Sequence, residues 1–388
     1  MVRMPPAHFR PDVSYGEGYR APSAHEARRR IAADIARSYN LQLQSPESGW
    51  PMPALGVECF VMRVPAERSV NTVIAAIDQD PRAAWAQPVQ SFRGLGYNDP
   101  LFPLQPTARQ WHLQELHSAS TGRSVRIAEL DSGVDRNHPD LVGQIAAFED
   151  FTDRPERAEA HGTAIAGILV ARANNGVGIA GIAPRARLLA LRACWQGERD
   201  ATECNSFTLA KAMQSAIDRG AQIVNLSVGG PADRLLRELI DRALARGIVV
   251  VAAADPAAEL GGFPASHRGV VSVAMDTDGG APPLTVATVA APGHDVPATG
   301  AGGGWTFVTG SSFAAAEVSG LIALLLEQNP DLRPEQIQIL LGGEQRGVRD
   351  AGAPAPKSID ACRVLSAVAG ACVCACPRAL TSDVSAQR

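Results

Sequence analysis

The chain has 388 residues, enough for one large α/β domain and a smaller unit. Its net charge of −4 comes from 36 basic and 40 acidic residues scattered along the chain, which excludes the basic footprint of a nucleic-acid binder. No apolar run reaches membrane-spanning length; the longest, around residues 313–326, is interrupted by Glu317, so no membrane partner is expected.

Residues 1–23 are polar and rich in Pro and Gly, and read as an unstructured lead. They lack the apolar stretch of a secretory signal, so either the protein stays inside or its start lies upstream; the expectation carried forward is a secreted or periplasmic protein. An Arg-rich helical pattern covers residues 24–37, and residues 41–44 and 55–64 alternate as strands. Residues 69–77 read as a helix and 84–92 as a further strand. That order predicts a small α+β open-faced sandwich over residues 24–95.

A larger domain is expected over residues 96–346. Strand patterns at 125–130, 187–192, 222–227, 247–253 and 270–274 alternate with helical patterns at 162–173, 206–219 and 232–246. Near-continuous apolar strands interleaved with helices imply a doubly wound, mostly parallel sheet covered on both faces. Beyond it, residues 347–388 form a Gly- and Pro-rich tail with a short helix near 358–368 and a cysteine-rich end.

The seven cysteines leave at least one thiol unpaired or paired between chains. Cys194 and Cys204 are spaced to close a short disulfide loop. Cys372, Cys374 and Cys376 lack the wider pairing of a zinc site and read as a flexible reactive tail.

Three short stretches carry the chemistry. They are Asp131-Ser132-Gly133-Val134-Asp135, His161-Gly162-Thr163-Ala164-Ile165-Ala166-Gly167 and Gly310-Ser311-Ser312-Phe313-Ala314-Ala315-Ala316. A serine hydroxyl is a poor nucleophile until an imidazole takes its proton and a carboxylate fixes the imidazole's tautomer. Asp131 follows an apolar strand, so its carboxylate emerges at the strand's C-terminal edge, where open parallel sheets place ligands. His161 opens one helix and Ser312 another, whose free N–H groups favour a developing oxyanion. An α/β-hydrolase is disfavoured by the order of the three and by the absence of Gly-x-Ser-x-Gly around Ser312.

Together the three signatures resemble the subtilisin family of serine proteases. The resemblance implies a subtilisin-like fold and an Asp131–His161–Ser312 triad hydrolysing peptide bonds through an acyl-enzyme, with no cofactor required for the chemistry. Ala164 stands where the family usually has a second histidine, and Ser311 where it has threonine. The stretches Cys59-Phe60-Val61-Met62-Arg63-Val64-Pro65 and Ala86-Gln87-Pro88-Val89 are similar to the family's inhibitory prosegments. Asn98-Asp99-Pro100-Leu101-Phe102 looks like the start of the mature domain. The expected partners are therefore an extended polypeptide substrate and the chain's own prosegment, on a monomer.

Ser227, Val228 and Gly229 match the family's substrate strand, whose backbone pairs with an extended peptide. The oxyanion hole departs from the pattern. Where the family carries Ala-Ala-Gly-Asn, this chain reads Ala252-Ala253-Ala254-Asp255-Pro256. An ungapped alignment puts Pro256 on the asparagine, and a one-residue shift puts Asp255 there; the Ser312 N–H remains as a donor in either case. A catalytically weakened relative that binds peptides or acts as a scaffold is the alternative reading. Asp140 and Asn175, with carbonyls of Ala173, Val177 and Ile179, align with the family's calcium site, an oxygen set suited to a hard cation.

Overall fold

The computed structural model describes residues 2–3, 21–44, 49–90, 96–197, 201–276, 287–342 and 358–374. The chain divides into two compact units, residues 1–95 and 96–388. Most of the expected lead, together with Phe92 and Cys376, lies outside the described residues.

In the first unit, strand β1 (Val2–Arg3) precedes helix α1 (Ala21–Ser38), β2 (Gln42–Leu43), β3 (Trp50–Met52), β4 (Val57–Cys59), β5 (Met62–Arg63) and helix α2 (Val70–Ile77). Two small antiparallel sheets form, in the orders β1–β4–β3 and β2–β5. Ala32, Ile35 and Ala36 of α1 pack with Leu41 and with Val73 and Ile77 of α2, because both helices place their apolar residues on one stripe. Two expectations fail here. Val2 and Arg3, read as part of an unstructured lead, pair with Glu58 and Val57. The described part of the strand expected over 84–92 carries no regular structure, and Pro88 supplies no ladder donor there.

The second unit opens with α3 (Pro106–Gln110) and α4 (Leu113–Ala119). It continues through β6 (Arg126–Asp131), β7 (Ile145–Asp150), α5 (Ala160–Val170) and β8 (Arg187–Arg192) to the ribbon β9 (Cys194–Gln196) and β10 (Thr202–Cys204). Then come α6 (Ser206–Asp218), β11 (Ile223–Leu226), α7 (Arg234–Ala245), β12 (Val249–Ala253), β13 (Val271–Met275) and β14 (Val289–Ala291). The hairpin β15 (Val296–Gly300) and β16 (Gly304–Val308) leads to α8 (Ser311–Gln328), α9 (Pro334–Leu340) and α10 (Ala361–Ala369). Seven strands join in the order β14–β13–β12–β11–β6–β8–β7, and every neighbouring pair is parallel.

Side-chain alternation sorts the strands' two faces. Val125 and Ile127 join α5, α8 and α10 in one apolar layer, while Ala128 and Leu130 join α6 and α7 in the other. The fold is therefore the α/β, doubly wound architecture with helices on both faces. In helix α8 residues from Phe313 through Leu326 are all buried, and Ala314, Ala315 and Ala316 in its first turns let it approach the sheet. No helix among the described residues is long and apolar enough to cross a membrane.

Of the cysteines, Cys194 and Cys204 form a disulfide, as their spacing leads one to expect. The tail reading needs correction. Cys374 is bonded to Cys362 of α10, so the described part of the tail is stapled back onto the domain. Spacing alone cannot reveal such a pairing.

Candidate active site

Asp131 ends β6, an interior strand between β11 and β8, and its side chain is buried. Its Oδ1 accepts from the Ser132 backbone N–H at 2.7 Å and from His161 Nδ1 at 2.8 Å. Oδ2 is buried and has no hydrogen-bond partner among the described residues. The turn after Asp131 and the start of α5 approach so closely that the glycines of both signatures are obligatory. A Cβ on Gly133 would lie 2.0 Å from the Arg157 carbonyl oxygen, and one on Gly162 would lie 2.4 Å from that of Ser132. The Gly162 N–H also donates to Ser132 Oγ at 3.0 Å, which fixes His161 over the carboxylate.

Burial alone would lower the pKa of His161. The charge and hydrogen bond of Asp131 outweigh it and hold the imidazole above the usual histidine value. A second carboxyl, Glu129, sits two residues earlier on the same face of β6, buried and without a hydrogen-bond partner among the described residues. Burial, and then the Asp131 charge, push its pKa well above the ordinary carboxylate range. Burial likewise pushes the pKa of Glu317 of α8 well above that range.

Ser312 lies in the first turn of α8, where backbone N–H groups have no intrahelical acceptor. Its Oγ donates to the Ser227 carbonyl at 3.1 Å, while Ser227 Oγ donates to the Ser312 carbonyl at 2.9 Å. A polar seam runs on beneath: Asn225 Nδ2 donates to Ser227 Oγ, and Ser319 Oγ donates to Asn225 Oδ1. The ring of Phe313, next to Ser312, lies 5.5 Å from that of His161. His161 and Ser312 thus face one cavity of about 810 Å³, lined also by Ser227, Val228 and Gly229. Residues 227–229 continue β11 without strand pairing, leaving an edge that an added strand can join.

Asp255 does not line that cavity. Its Oδ1 accepts from Ala257 N at 2.8 Å and its N–H donates to the Gly261 carbonyl, so it shapes the turn beside Gly229; Pro256 is exposed. The calcium set is occupied by protein donors. Asp140 accepts from Asn175 Nδ2 at 2.9 Å, Ile179 N at 3.1 Å and the Trp305 indole at 2.7 Å, and Asn175 Oδ1 accepts from Val177 N. A calcium ion would need Asn175's amide turned over and the indole withdrawn. With N–H groups where a hard cation requires oxygens, the set does not fit the ion.

The sequence reading missed one supporting group. Glu159, the residue before the first turn of α5, and Arg192, which ends β8 in register with Asp131, are both buried. Glu159 Oε2 accepts from Gly133 N at 2.7 Å and from Arg192 Nε at 3.2 Å, and Arg192 also binds Asp150 at 2.7 Å. Burial would raise the pKa of Glu159, but backbone N–H groups of Gln196 and Gly133 and the two guanidiniums of Arg192 and Arg157 hold it low. The legible signal was an arginine closing the apolar run at 187–192.

A profile of the subtilase family matches residues 122–347. The chain is 34% identical over 273 residues to the thermophilic serine proteinase of Bacillus sp. (strain AK1), covering 67% of each protein. It is 34% identical over 248 residues to thermitase of Thermoactinomyces vulgaris, covering 60% of this chain and 85% of thermitase. With subtilisin E of Bacillus subtilis (strain 168) it shares 32% over 238 residues, covering 58% of this chain and 61% of that protein. A solved protease from Pseudoalteromonas arctica PAMC 21717 superposes with a TM-score of 0.61 at 23% identity, over 70% of this chain and 99% of that one, a likeness of fold. A family profile matching more than half of the chain and a serine proteinase 34% identical across two thirds of both proteins lead to one conclusion: the chain belongs to the subtilase family and is a serine-type endopeptidase.

Proposed function

We propose that Asp131, His161 and Ser312 are the catalytic triad, that the substrate is a polypeptide bound in extended form, and that residues 24–95 are an inhibitory prosegment. The observation that carries the reading is the 2.8 Å bond from His161 Nδ1 to a buried carboxylate, beside a serine facing the same cavity. With Nδ1–H committed to Asp131, Nε2 is left as the proton acceptor. Ser312 Oγ turns from the Ser227 carbonyl toward the imidazole, loses its proton to Nε2 and attacks the scissile carbonyl. Asp131 stabilises the imidazolium, which then protonates the leaving amine. Water, activated by the same imidazole, releases the acyl group. An extended peptide adds its backbone to residues 227–229, and the N–H groups at the start of α8 face the oxyanion.

The prosegment reading rests on sequence pattern, and a time course tests it. Purified wild type is expected to convert to a form beginning between residues 90 and 98, read by intact mass, while Ser312→Ala stays full length. Conversion of the variant at the wild-type rate would rule out self-processing.

The oxyanion position yields a gain-of-function test. Asn at 255 retains an oxygen to accept from Ala257 N and adds an amide donor in place of a carboxylate. If Asp255 holds the donor position, Asp255→Asn raises turnover about ten-fold or more, since the subtilisin asparagine itself sets the scale at about 2.7–4 kcal/mol. If Pro256 holds it, Pro256→Asn is the activating change. A peptide-binding relative without catalysis, the reading that this departure favours, predicts no gain from either variant and no reaction with a fluorophosphonate.

A further inference from the structure

We propose that the Cys194–Cys204 disulfide is a specificity determinant: it staples one wall of the substrate cavity and sets how tightly an extended polypeptide is held. The proposal rests on the active-site reading above and concerns a part of the site that makes no bond to the triad.

The ribbon β9–β10 has only three residue pairs, and Cys194 opposite Cys204 is one of them. Two short strands alone are marginal in water. The two strands are anchored very differently. On β9, Cys194 is fully buried in the layer beneath α6. Gln196 N donates to Glu159 Oε1 at 2.8 Å, and Arg157 Nη2 donates to the Gln196 carbonyl at 2.9 Å. This strand is therefore tied to the same buried Glu159 that holds Gly133 behind Asp131. On β10, among the described residues, hydrogen bonds go to β9 alone, through the ladder and from Trp195 Nε1 to Glu203 Oε2 at 3.2 Å.

Yet β10 is the strand that meets the substrate. Thr202 and Cys204 line the cavity, as do Asn205 and Ser206 just beyond, while Ser227 to Gly230 line it too. Cys204 also packs against that apolar layer and leads straight into α6; to this the disulfide adds a covalent link from the cavity wall to β9's anchorage. Cys204 is partly exposed where it borders the cavity, so a small dithiol can reach the bond. Reduction by a dithiol yields two cysteine thiols and leaves the reductant as its cyclic disulfide. β10 then keeps the three-pair ladder, the Trp195 bond and its continuation into α6, and the wall is held less tightly when substrate binds.

The effect is expected in binding of long substrates and not in bond cleavage. The full chain is assayed, oxidised and after dithiothreitol, on an extended peptide and on a single-residue ester. Reduction is expected to raise KM for the peptide about five- to ten-fold, the cost of reordering the wall, with kcat on the peptide and both constants on the ester unchanged. Cys194→Ser/Cys204→Ser should show the raised KM without reductant and no further response to it. Cys362→Ser/Cys374→Ser, which removes the other described disulfide, should respond to reductant as wild type does. An unchanged peptide KM on reduction, an equal loss on the ester, or a reductant response that survives in Cys194→Ser/Cys204→Ser would each overturn the proposal. Fluorophosphonate labelling in the same samples separates the two levels. Labelling in both redox forms with an unchanged KM removes the cross-link's role alone, whereas no labelling of oxidised protein removes the active-site reading and the proposal with it.

Discussion

Ser312→Ala is expected to abolish peptide hydrolysis, by about 10⁶-fold in kcat on the scale that subtilisin itself sets for loss of its serine. The substitution removes a hydroxyl that faces the same cavity as His161 and residues 227–229. Its structural cost is small. The variant loses the bond from Ser312 Oγ to the Ser227 carbonyl, about 0.5–1.5 kcal/mol, while Ser227 Oγ keeps its bond to the residue-312 carbonyl. Thermal unfolding should therefore remain cooperative, within a few degrees of wild type. Ser311→Ala, one residue earlier, should retain most activity. Hydrolysis by Ser312→Ala at a rate above about 10⁻³ of wild type would remove Ser312 from the nucleophile role.

Asp131→Asn should cost about 10⁴-fold in kcat, the loss seen when a triad aspartate is replaced by its amide. The buried carboxylate is the charge that offsets desolvation of His161. Without it, burial alone acts and the imidazole pKa falls below its ordinary value of about 6.5. The sign is fixed by the base's role. His161 must be neutral to take a proton, so wild-type kcat/KM rises with pH through the raised pKa. In Asp131→Asn the same rise should occur at lower pH, on a much lower plateau. A variant whose acid limb does not move would show that Asp131 does not set the state of His161.

The proposed triad was legible because each member sits where a local rule puts chemistry. Asp131 ends an apolar strand, and His161 and Ser312 begin helices of small residues that press on the sheet. The two glycines are legible for a related reason: they mark contacts of the backbone with itself. The strands β6, β8, β11, β12 and β13 were read within two residues because each is a continuous apolar run. The edge strand β7, Ile145–Asp150, was missed because it is half exposed and its pattern is mixed. The hairpin β15–β16 was missed although Gly302 and Gly303, both with positive φ, mark its turn.

What the sequence left hidden are pairings through space. Glu159 meets Arg192 33 positions away, and the Trp305 indole reaches Asp140 across 165 positions, filling the place that the motif His138-Pro139-Asp140-Leu141 suggested for calcium. Cys362 reaches Cys374 in the same manner. Glu129 was passed over because one acidic residue inside an apolar run reads as noise, although burial, and then the Asp131 charge, push its pKa well above the carboxylate range.

The most direct measurement is to locate the covalent adduct that a fluorophosphonate leaves on the full chain, by mass spectrometry of its peptides. A single adduct on Ser312 is predicted for wild type, strongly slowed in His161→Ala and absent in Ser312→Ala, with Ser311 unmodified throughout. An adduct on Ser311, or labelling of Ser312→Ala at the wild-type rate, would contradict the triad.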